Sequence, residues 1–410
     1  MGPIRRAAIS YAVYFTAIGA SWAYLPIYFR DLGLGLATIG LLTALSAAIQ
    51  LVAAPGWGAL ADRFPRSRLS LAVAALVAAA GAASLAVSGA PPAIAASVVV
   101  LAIGLGGIGP VLDARTLDLL GADRQRYGQV RAIGSIAFVI VTWLVGILLD
   151  QRGSGALFLV YVPALAATAL VSLAVPRRGA GRRPALLPGL GAFLRTPGVG
   201  LFLAGSLLTW MTLNAVNGFY SIQVVALGGT AQLAGLTWVV TASVEIPVMW
   251  GYRRLAARFG SGRLLVLGAT MFAVRAALAA AAPDATWLLA IAPLQGVGFG
   301  LFFVGSVAFV AARAPAGLAA TAQGVLTAVM GTATILGTGL GGLLAGATSI
   351  AWLFAAAAVG GAGAAVIVAL AARSSTRGTV LAAAPSAPQT PSAPLPPSAP
   401  QPLTREEVRS

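Results

Sequence analysis

Long apolar runs, broken by short polar connections that carry arginine, make up most of this chain. Crossing a hydrocarbon core takes about 20 predominantly apolar residues. Runs of that length can be drawn at 7–29, 36–56, 69–89, 93–117, 129–149, 156–176, 199–225, 232–252, 264–281, 286–310, 318–346 and 348–371. The pattern predicts an all-α integral membrane fold of twelve transmembrane helices. Arg5 and Arg6 precede the first run, which is longer than a signal-peptide core and is followed by no small-residue cleavage site. It reads as a retained first helix.

Composition changes the picture only by fixing the solvent. Of 410 residues, 59% are hydrophobic and 9% charged, whereas a soluble domain needs roughly a quarter charged to cover its surface. Lipid must cover this one. The formal charge of +16 raises the question of nucleic acid. Yet all 26 basic residues are Arg, and most stand in short clusters between apolar runs, which is the positive-inside pattern of a membrane protein. Nucleic acid is not an expected partner; the lipid bilayer is.

Arginine also sets the orientation. Arg63, Arg66, Arg68, Arg124, Arg126, Arg177, Arg178, Arg182, Arg183 and Arg195 fall in alternate connections, as do Arg253, Arg254, Arg258, Arg263 and Arg313 later. The opposite connections offer Arg30 and Arg152, near Asp31 and Asp150. The asymmetry predicts that both termini are cytoplasmic, in a multi-pass protein of the plasma (inner) membrane.

The chain has no Cys and no His. Disulfides, thiolate chemistry, and zinc or copper sites built on those residues are excluded, and the usual neutral-pH acid–base group is missing. No metal, cofactor or enzymatic activity is expected. Gly104-Leu105-Gly106-Gly107-Ile108-Gly109 matches G-x-G-x-x-G but lies inside an apolar run with no preceding strand, so nucleotide binding fails its context test. Helix packing explains these glycines better, as it does Gly337-x-x-x-Gly341 and Gly342-x-x-x-Gly346. Without lysine there is no Walker-type lysine, which excludes ATP-driven pumping by this chain alone.

The longest polar connection, 177–198, is rich in Arg, Gly and Pro and divides the chain into halves of six spans. The expected organisation is an N-terminal six-helix bundle at 1–176, a cytoplasmic linker at 177–198, and a C-terminal six-helix bundle at 199–371. A disordered Pro/Ala/Ser-rich tail at 372–410 follows. The halves share a motif: Arg63-Phe64-Pro65-Arg66-Ser67-Arg68-Leu69 follows span 2, and Arg258-Phe259-Gly260-Ser261-Gly262-Arg263-Leu264 follows span 8. Both read R-F-x-x-x-R-L, which implies a parallel duplication.

Gly58-Ala59-Leu60-Ala61-Asp62-Arg63, followed by Arg66 and Arg68, resembles the loop motif between helices 2 and 3 of the major facilitator superfamily. Asp62 stands at a helix end where it can pair with Arg or cap a neighbouring helix, which makes Gly58, Asp62, Arg63, Arg66 and Arg68 a candidate gating motif. A solvated loop with topogenic charge is the plainer alternative. The second copy has Ala257 in place of Asp62. Pro110-Val111-Leu112-Asp113-Ala114, Tyr127-Gly128-Gln129-Val130-Arg131, Gly134-Ser135 and Phe138 narrow the resemblance. They are similar to the branch holding lactose permease, the phenylpropionate permeases and the nucleoside–proton symporters. Tyr24-Leu25-Pro26-Ile27-Tyr28-Phe29, Glu245-Ile246-Pro247-Val248 and Ala322-Gln323-Gly324 match it as well, so the resemblance covers 1–371.

Independently of family, ionisable groups inside a membrane are costly and mark pathways. By helical rise, Asp113 lies about 12 Å up span 4 and Arg131 about 6 Å up span 5, close enough for a pair, functional or structural. Glu245 and Arg275 lie about 12 and 16 Å up spans 8 and 9, and can meet near mid-membrane. The resemblance implies that Asp113 and Arg131 bind substrate, that Phe138 stacks on it, and that Glu245 is a substrate or coupling carboxylate whose proton affinity Arg275 modulates. Related permeases carry a His, and lactose permease a Glu one turn later, in span 10, where this chain has Gln295 and Gly298. Proton coupling would therefore rest on Asp113 or Glu245.

Tyr14, Trp22, Tyr24, Asn214, Asn217 and Tyr220 lie on spans 1 and 7. Trp22 and Tyr24 also fit an interfacial belt. Asn214 and Asn217 are stronger binding candidates, since amides facing lipid are costly. The expected activity is secondary active import of a small polar or aromatic organic solute (sugar, nucleoside or aromatic acid) by a monomer, with proton symport as a hypothesis. An exporter of amphipathic compounds and a non-transporting membrane sensor are the alternatives.

Overall fold

A computed structural model describes residues 3–64, 69–120, 127–173, 190–315 and 318–382. Its helices are α1 (Pro3–Ser21), α2 (Leu25–Asp31), α3 (Leu36–Arg63), α4 (Leu69–Val87), α5 (Pro91–Leu120), α6 (Tyr127–Arg152) and α7 (Phe158–Leu173). Then follow α8 (Leu190–Leu194), α9 (Val199–Ala226), α10 (Ala231–Phe259), α11 (Ser261–Ala280), α12 (Ala285–Arg313), α13 (Ala319–Ala347) and α14 (Ile350–Ala382). Among the described residues there is no strand, as lipid requires of an open chain: only a helix satisfies its own backbone groups.

Eleven helical segments among the described residues are long and apolar enough to cross a membrane. They coincide with the apolar runs from the second to the twelfth. The first run is not one helix. It breaks at residues 22–24, between α1 and α2. Pro26 stands in the first turn of α2 and has no N–H to bond to the carbonyl of Trp22, which favours a break there. Several helices overshoot the predicted runs at their Arg-bearing ends, reaching Arg63, Phe259 and Arg313. Polar residues can extend a helix beyond the hydrocarbon, where hydropathy no longer reports it. The last helix reaches Ala382, past the predicted boundary at 372. The predicted linker lies outside the described residues up to 189, as does the tail from 383.

Helix packing repeats along the chain. α1 packs on α6 and α7, α3 on α5, and α4 on α5 and α7. Six spans later, α9 packs on α13 and α14, α10 on α12, and α11 on α12 and α14. Each pair in the first set has its counterpart in the second. Two further pairs join the sets, α3 with α13 and α6 with α10, and they too exchange under the same shift. The R-F-x-x-x-R-L copies begin at equivalent places: Arg63 ends α3, and Phe259 ends α10. Gly260 turns the chain after α10 with φ of 85°, a conformation that favours glycine.

The two joining contacts close one end of the molecule. An added Cβ on Gly40 of α3 would stand 2.5 Å from the Gly342 Cα of α13, so the two backbones touch. Gly346 meets Ala37 likewise. The α13 glycines divide their work: Gly337 and Gly341 face Met211 and Ala215 of α9, whereas Gly342 and Gly346 face α3. Close packing of small residues drives helix association where no hydrophobic difference exists between helix and lipid. Between α6 and α10, Gly146 approaches Gln232, and the Tyr24 hydroxyl donates to the Thr142 carbonyl beside Gly235. Asp150, at the end of α6, accepts from the backbone N–H groups of Ala231 and Gln232 at 2.7 and 3.1 Å. Its carboxylate thereby satisfies two of the four N–H groups left over at the start of α10. Arg30 donates to the Ile222 carbonyl at 3.2 Å and ties α2 to α9.

Candidate functional site

Beneath the sealed end lies a cavity of about 300 Å³. Its polar lining comes from α9 (Asn214, Asn217), α10 (Thr241, Glu245), α12 (Gln295) and α13 (Thr334). Its aromatic lining comes from Trp22 and Phe138 on one side and from Trp210, Trp238 and Phe299 on the other. Both sequence halves therefore build it. A mostly apolar cavity with a few fixed polar groups is the usual form of a small-molecule site.

Five predicted site residues, Phe138, Asn214, Asn217, Glu245 and Gln295, converge on this cavity. Asn214 Nδ2 donates to the Trp210 carbonyl at 2.8 Å, and Asn217 Oδ1 accepts from Arg275 Nη1 at 3.0 Å. Gln295 is only 4% exposed, and its Oε1 has no hydrogen-bond partner. Trp22 is a cavity residue and sets its ring edge-on to Trp238, with centroids 6.0 Å apart. Tyr24 is wholly buried. Tyr24 is therefore turned inward, while Trp22 borders the cavity and is also 54% exposed.

Asp113 and Arg131 lie outside the cavity lining. The Asp113 carboxylate accepts from the Tyr11 hydroxyl, which also approaches the Tyr127 hydroxyl at 3.4 Å. Arg131 bonds Tyr127 one turn earlier on α6 and stands within electrostatic reach of Asp113. It also reaches Glu245 across the α6–α10 contact. The cation facing Glu245 is thus Arg131 rather than Arg275. Arg275, 2% exposed, instead turns to α9: it bonds Asn217 and lies 3.9 Å above the centre of the Tyr220 ring. Counting rise along α10 and α11 gave their heights but not which way each side chain points, and the two turn apart.

At the other end of α3, Gly58 and Asp62 line a small recess with Pro110, Val111 and Arg115 of α5. Arg63 ends α3, while Arg66 and Arg68 lie outside the described residues. Arg115 was not expected as an intramembrane charge, yet it is 1% exposed and donates to Ser70 Oγ at 3.1 Å and to the Ser172 carbonyl at 3.4 Å. The signal was available: Arg115 lies two residues beyond Asp113, inside the same apolar helix. Asp150 carries no such signal in the sequence, because an acid near Arg152 reads as local charge balance.

Membrane-spanning helices that repeat after six, closed at one end over a cavity built by both halves, define a polytopic transporter of the major facilitator type. The chain belongs to the MFS_1 like family, whose model matches residues 4–356. It is 29% identical to the maltose permease of Geobacillus stearothermophilus over 322 residues, 78% of this chain and 82% of that protein. It is 23% identical to the uncharacterized transporter YwbF of Bacillus subtilis (strain 168), over 78% of this chain and 80% of the relative. The solved structure of the nucleoside transporter NupG matches with a TM-score of 0.79 at 18% identity, covering 91% of this chain and 98% of that one.

Proposed function

We propose that this chain is a secondary active importer of a small polar organic solute, coupled to protons through Glu245 and Asp113. In this reading α1 and α2 together make a twelfth crossing, and the spans form two six-helix bundles joined by the 177–198 linker. Both termini are cytoplasmic, and the protein works as a monomer in the plasma (inner) membrane. The observation that carries the reading is the charge arrangement between the halves: Arg131 of α6 lies within reach of Asp113 in its own half and of Glu245 in the other. When the halves move apart, Arg131 can stay with only one of the two carboxylates, which makes the other the candidate proton carrier. Alternating access would load and release a proton in this way.

Arg131 is exposed, and a guanidinium facing lipid is costly. In this reading a water-filled vestibule opposite the sealed end opens toward the cytoplasm and receives Arg131. Similarity to a maltose permease and the fold shared with a nucleoside transporter support sugars and nucleosides as the first solutes to test.

The test is transport by purified protein in liposomes, with labelled maltose and uridine. One of them is expected to accumulate under an inward proton gradient and to exchange in counterflow without one. Glu245→Gln should abolish accumulation while leaving counterflow. Equal uptake with and without the gradient would remove symport, and failure of counterflow with both solutes would count against this solute class. The aromatic lining also suits an exporter of amphipathic compounds. In that case Asp113→Asn or Arg131→Gln would barely affect transport.

A further inference from the structure

We infer that Arg275 is a positioning residue: it holds the Asn217 amide in one of its two orientations, which sets the cavity to take a neutral hydroxylated solute and to reject a carboxylate. The inference rests on the transport reading above and deepens it, since that reading began from sugars, nucleosides and aromatic acids alike.

Arg275 lies outside the cavity lining and acts through Asn217. Guanidinium is a donor only, so the amide group facing Arg275 must be the oxygen. The NH2 end of Asn217 is then the end left for the cavity. Asn214 is fixed in the opposite sense: its neighbour is the Trp210 carbonyl, an acceptor only, so its nitrogen turns inward and its Oδ1 is left for the cavity. The two residues are three apart on α9 and share a face. Together they present an acceptor and a donor side by side.

The rest of the lining offers one unpaired buried donor, Trp210 Nε1, and otherwise acceptors. Gln295 Oε1 is buried without a donor, and Glu245 adds a carboxylate. A hydroxyl both donates and accepts. Neighbouring hydroxyls on a sugar or ribose ring can therefore give protons to Asn214 and Gln295 while accepting one from Asn217. A carboxylate ligand is acceptor-only. It would leave Asn214 and Gln295 without donors and stand near the charge of Glu245.

The arrangement also accounts for a guanidinium buried so deeply. Among the described residues no carboxylate bears on Arg275; the groups that do are Asn217 and Tyr220. A buried charge held by neutral partners is costly, and here its bond specifies the polarity of a cavity residue. The Tyr220 ring beneath it is itself anchored, its hydroxyl donating to the Leu288 carbonyl at 2.6 Å.

The experiment measures binding of maltose, uridine and phenylpropionate to the purified full chain, by thermal shift and by fluorescence of the cavity tryptophans. Wild type should bind maltose or uridine and not phenylpropionate. Arg275→Gln frees the amide to turn, and should weaken the hydroxylated ligand roughly tenfold. Asn217→Asp keeps a partner for Arg275 but replaces the donor with an acceptor. It should weaken that ligand by a similar factor without lowering the melting temperature of the unliganded protein, which a merely structural role for Arg275 would not produce. Tighter binding of phenylpropionate, no binding of either hydroxylated probe, or wild-type affinity in Asn217→Asp each overturns the inference. If counterflow of maltose or uridine succeeds while Asn217→Asp binds normally, the transport reading stands and the positioning role alone falls.

Discussion

Gly40→Ala should loosen the sealed end and shift the protein toward the state open on that side. The added Cβ would stand 2.5 Å from both the Gly342 Cα and the Thr338 carbonyl oxygen. Carbon atoms pack best at about 3.5–4.0 Å, so α3 and α13 must separate by roughly 1 Å. Both obstacles are backbone, and neither can swing aside as a flexible side chain would. Forcing an extra methyl into a close-packed contact costs about 1–3 kcal/mol. If the contact exists only while this end is closed, the whole cost falls on that state and the equilibrium moves by roughly 5- to 150-fold. The chain has no Cys, so Ala242→Cys, which lines the cavity, supplies a sole reactive thiol. A membrane-impermeant thiol reagent added on the sealed side should label it faster when Gly40→Ala is present. Gly35→Ala is the control, because nothing lies within 4 Å of a Cβ there, and it should leave the rate unchanged. An unchanged or slower rate in Gly40→Ala, with the melting temperature preserved, would refute the claim that backbone contact at Gly40 holds this end shut.

Two further outcomes follow from groups at the helix ends. Asp150→Ala removes the acceptor of two N–H groups at the start of α10. These groups are exposed and water can replace the carboxylate, so the loss should be about 0.5–2 kcal/mol, as for a helix cap, seen as a smaller rise in the same labelling rate. Asp284 caps α12 by accepting from the Trp287 N–H at 2.8 Å, and its bond with Thr286 holds its pKa below the usual carboxylate value. A carboxyl depressed in the folded state contributes stability that is full above the unfolded value of 3.8 and is lost as pH falls through the lower folded one. The melting temperature of Asp284→Ala should therefore fall below that of wild type at neutral pH and converge with it under strong acid.

Hydropathy and arginine placement were enough to read the helices, because lipid leaves the backbone almost no alternative to helix and leaves charge almost no place but the ends. Eleven of the twelve predicted runs coincide with helices long enough to span. The exception, at residues 22–24, lies just before Pro26, but a proline alone does not mark a break here, since Pro55, Pro110, Pro163, Pro247 and Pro293 stand inside continuous helices. The repeat was legible too, since the R-F-x-x-x-R-L copies mark the same helix end in each half. Of the candidate site, the sequence yielded Asn214, Asn217 and Glu245 as polar residues that lipid would not hold cheaply, and the permease resemblance added Phe138 and Gln295.

The tertiary structure decided the partnerships. Height along a helix can be counted from its ends, but the azimuth of a side chain depends on how each helix is rotated against its neighbours. Glu245 and Arg275 share a level and turn apart, so that Glu245 faces Arg131 across the α6–α10 contact while Arg275 orients Asn217. Asp150 looked like a loop charge until α10 was placed with its N-terminus against it. The chain by itself determined what must be buried in lipid and what must stand outside it, because that is a property of each segment. Which buried polar group meets which is a property of pairs of helices distant in sequence, and only their packing decides it.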